Sequence, residues 1–172
     1  MKIKTILLVI LALCMVSFTT LPIFAAEATG SNSTTIQVST EYITYPDFSF
    51  NVPPTIPIGE IQRTAVSSIK SVEFTVSISG SENLEGRFVE VVVKAPDDEF
   101  ALHYGVYSLP YSLYNTASGG TPLESGDLFA AFFGDDARKG RIEVDEMNIP
   151  ATGTYSGVIQ FEVTVRDLNA ST

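Results

Sequence analysis

Four tyrosines, Tyr104, Tyr107, Tyr111 and Tyr114, crowd into one short stretch of the chain. When such side chains face solvent they stack on sugar rings or anchor a protein partner, because each pairs a large apolar ring with a hydroxyl at its rim. Their spacing is helical on paper, but Gly105, Val106, Ser108 and Pro110 lie among them and oppose a helix. On strands, Tyr104 and Tyr107 fall on opposite faces, as do Tyr111 and Tyr114, so some rings point outward unless a bulge intervenes. Core packing and cross-strand pairing are the commoner fates of such rings. The four tyrosines are the candidate binding surface, with ordinary packing as the competing reading.

The rest of the reactive inventory is thin. His103 is the only histidine and Cys14 the only cysteine, which excludes a His/Cys metal site and leaves a hydrolase a single candidate base. His103 lies in the strand-like run Ala101-Leu102-His103-Tyr104-Gly105, where it is expected to face solvent or make a simple hydrogen bond. Carboxylates occur as Asp97-Asp98-Glu99, Glu124 with Asp127, Asp135-Asp136, and Asp145-Glu146. Calcium takes several oxygen ligands, but none of these groups follows the EF-hand order. Adjacent acids on a strand point to opposite faces, so a calcium site forms only where loops converge. A glycosidase likewise needs two carboxylates facing one cleft. No catalytic residue is assigned and no cofactor is expected, a weak calcium site being the one metal candidate.

The elements that must position these residues read as strands. Phe48 to Val52 alternates with period 2, after Tyr42 to Tyr45, and Pro53, Pro54 and Pro57 then mark a connection or an edge. Val72 to Ile78 is the cleanest alternation, its even-numbered members facing a core. Arg87 to Lys94 contains Val91-Val92-Val93, apolar on both faces as in a central strand. Phe100 to Leu109 and Tyr111 to Tyr114 read as two strands broken at Pro110. Leu128 to Phe133 is a short apolar strand, and Arg138-Lys139-Gly140-Arg141 a basic turn. Tyr155 to Val165 alternates to the end. No sustained 3.6-residue stripe occurs, and turn signals recur every ~8–12 residues. The fold expected is all-β, an antiparallel Ig-like, Greek-key β-sandwich, with a closed barrel as the alternative.

Upstream, Lys2 and Lys4 precede an apolar run from Ile6 to Phe18, then Pro22 and the small residues Ala25-Ala26-Glu27-Ala28. That order is a secretory signal peptide. Residues 1–25 are assigned to it, residues 26–40 to a flexible polar lead-in, 41–168 to one domain and 169–172 to a tail. Leu13 before Cys14 is too bulky for a lipobox. Cleavage removes Cys14 and both leader lysines, leaving eight basic against twenty acidic residues, a net charge of −12. Such a chain repels nucleic acid and anionic membrane surfaces.

Ile149-Pro150-Ala151-Thr152-Gly153-Thr154-Tyr155-Ser156-Gly157 leads into the amphipathic run Val158-Ile159-Gln160-Phe161-Glu162-Val163. This Gly-Thr-Tyr-x-Gly strand resembles the end of WxL-type surface domains of Gram-positive bacteria, of small exported Ig-like proteins and of spore-coat-U-type pilin domains. The aromatic stretch from Ile43 into Pro-x-x-Ile-Pro-Ile resembles their opening. Phe161-Glu162-Val163 stands where a WxL domain carries Trp-x-Leu, and the chain has no tryptophan, so wall attachment by that motif is not implied. The disulfide common in pilin-type relatives is also absent. From the residues themselves, Gly153 and Gly157 suit close packing and Tyr155 a plug at one end of a core.

The function expected is that of a secreted bacterial surface or matrix protein, structural or adhesive and not an enzyme. Its expected partners are other surface or matrix proteins, with self-assembly through Thr34 to Tyr45 as a donor strand as one variant. No nucleic acid is expected, and no membrane once the leader is cut. A carbohydrate- or ligand-binding module is the second reading, and a small hydrolase built on His103 or a carboxylate pair a distant third.

Overall fold

Alternating side chains build this protein almost entirely from strands, and the computed structural model describes residues 32–42, 48–82, 84, 86–115 and 120–168. The strands are β1 (Asn32–Tyr42), β2 (Ser49–Asn51), β3 (Thr55–Ile61), β4 (Ile69–Ser79), β5 (Arg87–Lys94), β6 (Ala101–Tyr104), β7 (Tyr107–Pro110), β8 (Ser112–Tyr114), β9 (Leu128–Phe132), β10 (Asp136–Asp145) and β11 (Tyr155–Asp167). One sheet runs β3-β1-β11-β5-β9, with the β6–β7 hairpin also attached to β11; the other runs β2-β4-β10-β8. The all-β expectation is met. Residues 1–25, assigned from the sequence to a leader, Ile43 to Tyr45, the Ser118-Gly119 pair and residues 169–172 lie outside the described residues.

The buried faces of the two sheets meet in an aromatic cluster centred on Phe161. Its ring lies 5.1 Å from Phe129 in its own sheet, and 6.1 and 6.3 Å from Phe50 and Phe74 in the other. Phe74, Val76 and Ile78 of β4 are buried, as the even-numbered alternation predicts, and Tyr155, Gly157, Ile159, Phe161 and Val163 follow the same rule on β11. Pro57 sits on β3, which among the described residues pairs only with β1 and so forms an edge, where its missing N–H costs no central hydrogen bond.

Four sequence expectations are corrected. Asn32–Tyr42, nine residues of which the polar composition assigned to a flexible lead-in, is an integral strand paired on both edges. Its burial is carried by small polar groups as well as Ile36: Asn32 and Thr34 are both inside. The pairing of β1 with β11 is parallel from Thr34↔Tyr155 to Tyr42↔Val163, so the sheet is not purely antiparallel. A parallel neighbour needs a long crossover, and here everything between the two strands supplies it. Phe100 to Leu109 is not one strand but a hairpin folded at Gly105 (φ +58) and Val106, with glycine first in the two-residue loop as type II′ turns require. Arg138 to Arg141 is strand rather than turn. Gly140 stands opposite Phe74, and a Cβ there would overlap the Phe74 ring, so this glycine provides room for an aromatic rather than a bend.

Candidate functional site

The tyrosines separate into three environments. Tyr104 and Tyr107 face each other across the last rung of the β6–β7 hairpin, rings stacked at 6.3 Å, and are 40% and 44% exposed. They share a side of the hairpin, because the two-residue loop turns their odd spacing into a cross-strand pair. Tyr111 is buried beside Phe100, ring centroids 5.7 Å apart. Tyr114 lies on the other sheet, under the Arg141 guanidinium at 4.6 Å, a cation–π contact. The four do not form one surface.

The hairpin is held rigidly. His103 pairs with Ser156 of β11, and Leu102 and Leu109 are fully buried beneath. Tyr104 packs on Tyr155 at 5.7 Å and covers Gly153, where a Cβ would overlap its ring. Tyr155 is fully buried; its hydroxyl donates to the Ala151 carbonyl (2.7 Å) and accepts from the Ala151 N–H (3.2 Å). Gly157 is required by the Ala101 carbonyl, 2.8 Å from where its Cβ would lie. Tyr155 is thus the plug the sequence suggested.

The hairpin tip points toward the end of the molecule at which β1 and β11 begin, β3 stops at Ile61, β4 starts at Ile69 and β10 ends at Asp145. Asn32 ties this end together: its side-chain amide donates to the Ile61 carbonyl (3.1 Å), and its side-chain carbonyl accepts from the Gly153 N–H (2.6 Å). Asp145 and Glu146 pin the incoming loop, accepting from Ser67, Ser68 and the Gln62 N–H. Hydrogen bonds led by the Met147 N–H hold the Asp145 carboxyl below the usual aspartate range. Val66, Ile69, Val106 and Met147 stand exposed here with Tyr104 and Tyr107, Val106 at 94%. Val66 and Met147 carry no sequence signal for this role, since single apolar residues in loops are ordinary.

The other carboxylates divide between structural duty and a cleft. Asp135 accepts from the Gly80 and Ser81 N–H groups and the Ser81 hydroxyl, clamping the β4–β5 turn, and these bonds lower its pKa. Asp136 pairs with Arg138. The Asp97-Asp98-Glu99 loop does converge with the Glu124-to-Asp127 loop: Ser125 Oγ donates to Asp98 (3.1 Å) and accepts from the Ala95 N–H (3.1 Å). Asp97 and Asp98 both take left-handed backbone, φ 55° and 60°. Between these loops and the hairpin base lies a cleft of about 830 Å³, lined by Asp98, Glu99 and Glu124, by Ser108 and Ser125, and by an apolar wall that includes Phe100, Tyr111 and Leu123. Phe100, Ser108, Leu123 and Ser125 were not legible as site residues, because the sequence does not show which loops meet. Among the described residues no three His, Cys, Asp or Glu side chains come together closely enough to hold a metal ion. His103 is exposed, with Ser108 and Ser156 as its ladder neighbours on an open sheet face.

Protein-family models and curated proteins provide no match to this chain. Among the described residues no helix is long and apolar enough to cross a membrane.

Proposed function

We propose that the chain is an exported structural or adhesive domain, an Ig-like β-sandwich of a bacterial surface or extracellular matrix, without catalytic activity. It engages protein partners through the end that carries the β6–β7 hairpin. The observation that carries this reading is the gathering of exposed apolar side chains there. Among the described residues, six of eleven exposed large hydrophobics (Val66, Ile69, Tyr104, Val106, Tyr107 and Met147) belong to this end. Apolar surface gathered in one place is what interaction sites present, and tyrosine is a favoured anchor. The Lys2–Phe18 leader pattern and Ala25-Ala26 support export, and the Gly153-to-Val163 strand supports the resemblance to exported surface sandwiches.

The test is binding of labelled protein to the cells that export it and to their matrix fraction. Unlabelled protein should displace it, and a Val106→Asp/Tyr107→Ser variant with unchanged melting should not. Equal displacement by the variant would refute the assignment of this end. Export is checked separately by mass spectrometry of the secreted chain, whose first residue is expected within Ala26 to Thr29.

A further inference from the structure

We infer that the partner of the hairpin end is a second copy of this chain, which receives it on an apolar patch at its own opposite end, so that copies join head to tail. The inference rests on the docking role proposed for the hairpin end and names its partner. The opposite end is where β4 stops, β5 and β10 start and β11 finishes. There Phe88 and Phe133 stack at 5.4 Å, Phe88 lying on the side of β5 opposite the buried Val89 and so on the outer face of the sheet. Leu168 continues the patch: its N–H donates to the carbonyl of Gly86, two residues before Phe88 (2.9 Å). Phe133 is 67% exposed and Leu168 52%. Stacked rings left in water beside a leucine form apolar surface of the kind that contacts cover. The hairpin adjoins the start of β11 and the patch adjoins its end, about 40 Å away along a thirteen-residue strand. They are two surfaces, one at each end of the molecule.

The charges left unpaired decide how the ends meet. Lys94, Arg138, Lys139, Arg141 and Arg166 are held in ion pairs. Arg63, in the loop before β4, and Lys70, at the start of β4, have no ion pair among the described residues, and both belong to the hairpin end. At the patch end the unpaired charges are acids: Glu82 in the turn after β4 and Asp167 at the end of β11, both exposed. Two patch ends together would set Glu82 and Asp167 against their own copies, and two hairpin ends would do the same with Arg63 and Lys70. Like charges opposed in this way disfavour a contact. A hairpin end on a patch end sets bases against acids instead. Glu60, Asp145 and Glu146 bring the hairpin end near neutrality, which spares it most of the repulsion from a copy of net charge −10. Because the two surfaces differ, the contact is heterologous, and each copy that docks leaves a free surface for the next.

The purified secreted chain is followed by sedimentation and light scattering across concentration, and growth beyond a dimer is expected. Val106→Asp in the hairpin and Phe133→Asp/Leu168→Asp in the patch should each raise the concentration for half-assembly by about tenfold or more, with melting unchanged. Mixed one to one, these two variants should form a dimer that grows no further, since each keeps the surface the other lacks. Arg63→Glu/Lys70→Glu should weaken assembly, and adding Glu82→Lys/Asp167→Lys to the same chain should restore it. A parent chain that stays monomeric at every soluble concentration overturns the inference. If the hairpin variant then still fails to displace labelled protein from cells, the docking role stands with a different partner. Assembly of the patch variant alone at the parent's concentration overturns the inference, as does failure of the two variants to pair. Assembly undiminished by Val106→Asp overturns the docking role together with it.

Discussion

At the scale of single residues, burial and pairing decide what each side chain is for. Asn32 is fully buried and spans β3 and the loop before β11, so truncating it strands the Ile61 carbonyl and the Gly153 N–H together. Asn32→Ala is expected to cost about 2–4 kcal/mol in denaturant unfolding, since each buried group left unpaired costs ~1–3 kcal/mol. Asn32→Asp keeps the acceptor for Gly153 but sets a carboxylate oxygen against the Ile61 carbonyl in a buried place, and should cost at least as much as Asn32→Ala. His103 shows the opposite case. It is exposed on an open sheet face, and His103→Ala should change stability by less than about 0.5 kcal/mol. A measurable activity lost in that variant, with melting unchanged, would restore the hydrolase reading.

At the scale of the element, β11 carries the sharpest contrast. Phe161 touches three other rings across both sheets, while Glu162, its neighbour, points outward to an ion pair with Lys94. Phe161→Ala is expected to cost roughly 3–5 kcal/mol through cavity formation. Glu162→Ala should cost no more than about 1 kcal/mol, as partly exposed ion pairs do. Equal effects on the midpoint of unfolding would contradict the strand's register. Gly157→Ala tests the same strand differently. A new methyl group 2.8 Å from the Ala101 carbonyl oxygen must push β6 away, at a cost of about 1–3 kcal/mol, and loosen the hairpin. β1 is the element whose role changes most. Paired to β3 at its start and to β11 over most of its length, it can serve as a donor strand only if the β1 of another copy takes its place beside both. Deleting residues 32–42 should abolish cooperative unfolding, and a folded, monomeric deletion product would show that β1 is dispensable after all.

For the whole molecule, stability and acidity are linked through two clamps. Asp135 and Asp145 each hold a turn by accepting backbone and hydroxyl hydrogens, and both titrate below the ordinary aspartate value in the folded chain. A group whose folded pKa is lowered favours the folded state when ionised. Its contribution is therefore complete above the unfolded value of about 3.9 and is lost as pH falls through the lowered folded value. Melting temperature should drop as pH falls below about 4, and Asp135→Asn or Asp145→Asn should flatten that drop. A pH profile identical to that of the parent chain would remove the clamps from the account.

The amino-acid order determined the all-β class, because period-2 alternation at Val72 to Ile78 and Tyr155 to Val165 admits one buried face and no helix. It also marked Tyr155 as a core ring and Gly153 and Gly157 as close-packing positions, although the groups they make room for, the Tyr104 ring and the Ala101 carbonyl, come from β6. What it left open is whatever depends on long-range partners. The Asn32–Tyr42 strand looked like a linker because part of its burial is carried by asparagine and threonine, and the hydrogen bonds that satisfy Asn32 come from residues 29 and 121 positions away. Gly140 looked like a turn because its neighbour, the Phe74 ring, is supplied by another strand. Tyr104 and Tyr107 share a face, and Tyr111 does not join them, because a turn at Gly105 reverses the chain. The cleft exists only because the loops at residues 97–99 and 124–127 meet in space. Local pattern fixes which face of a segment is apolar; only tertiary pairing decides which segments face one another.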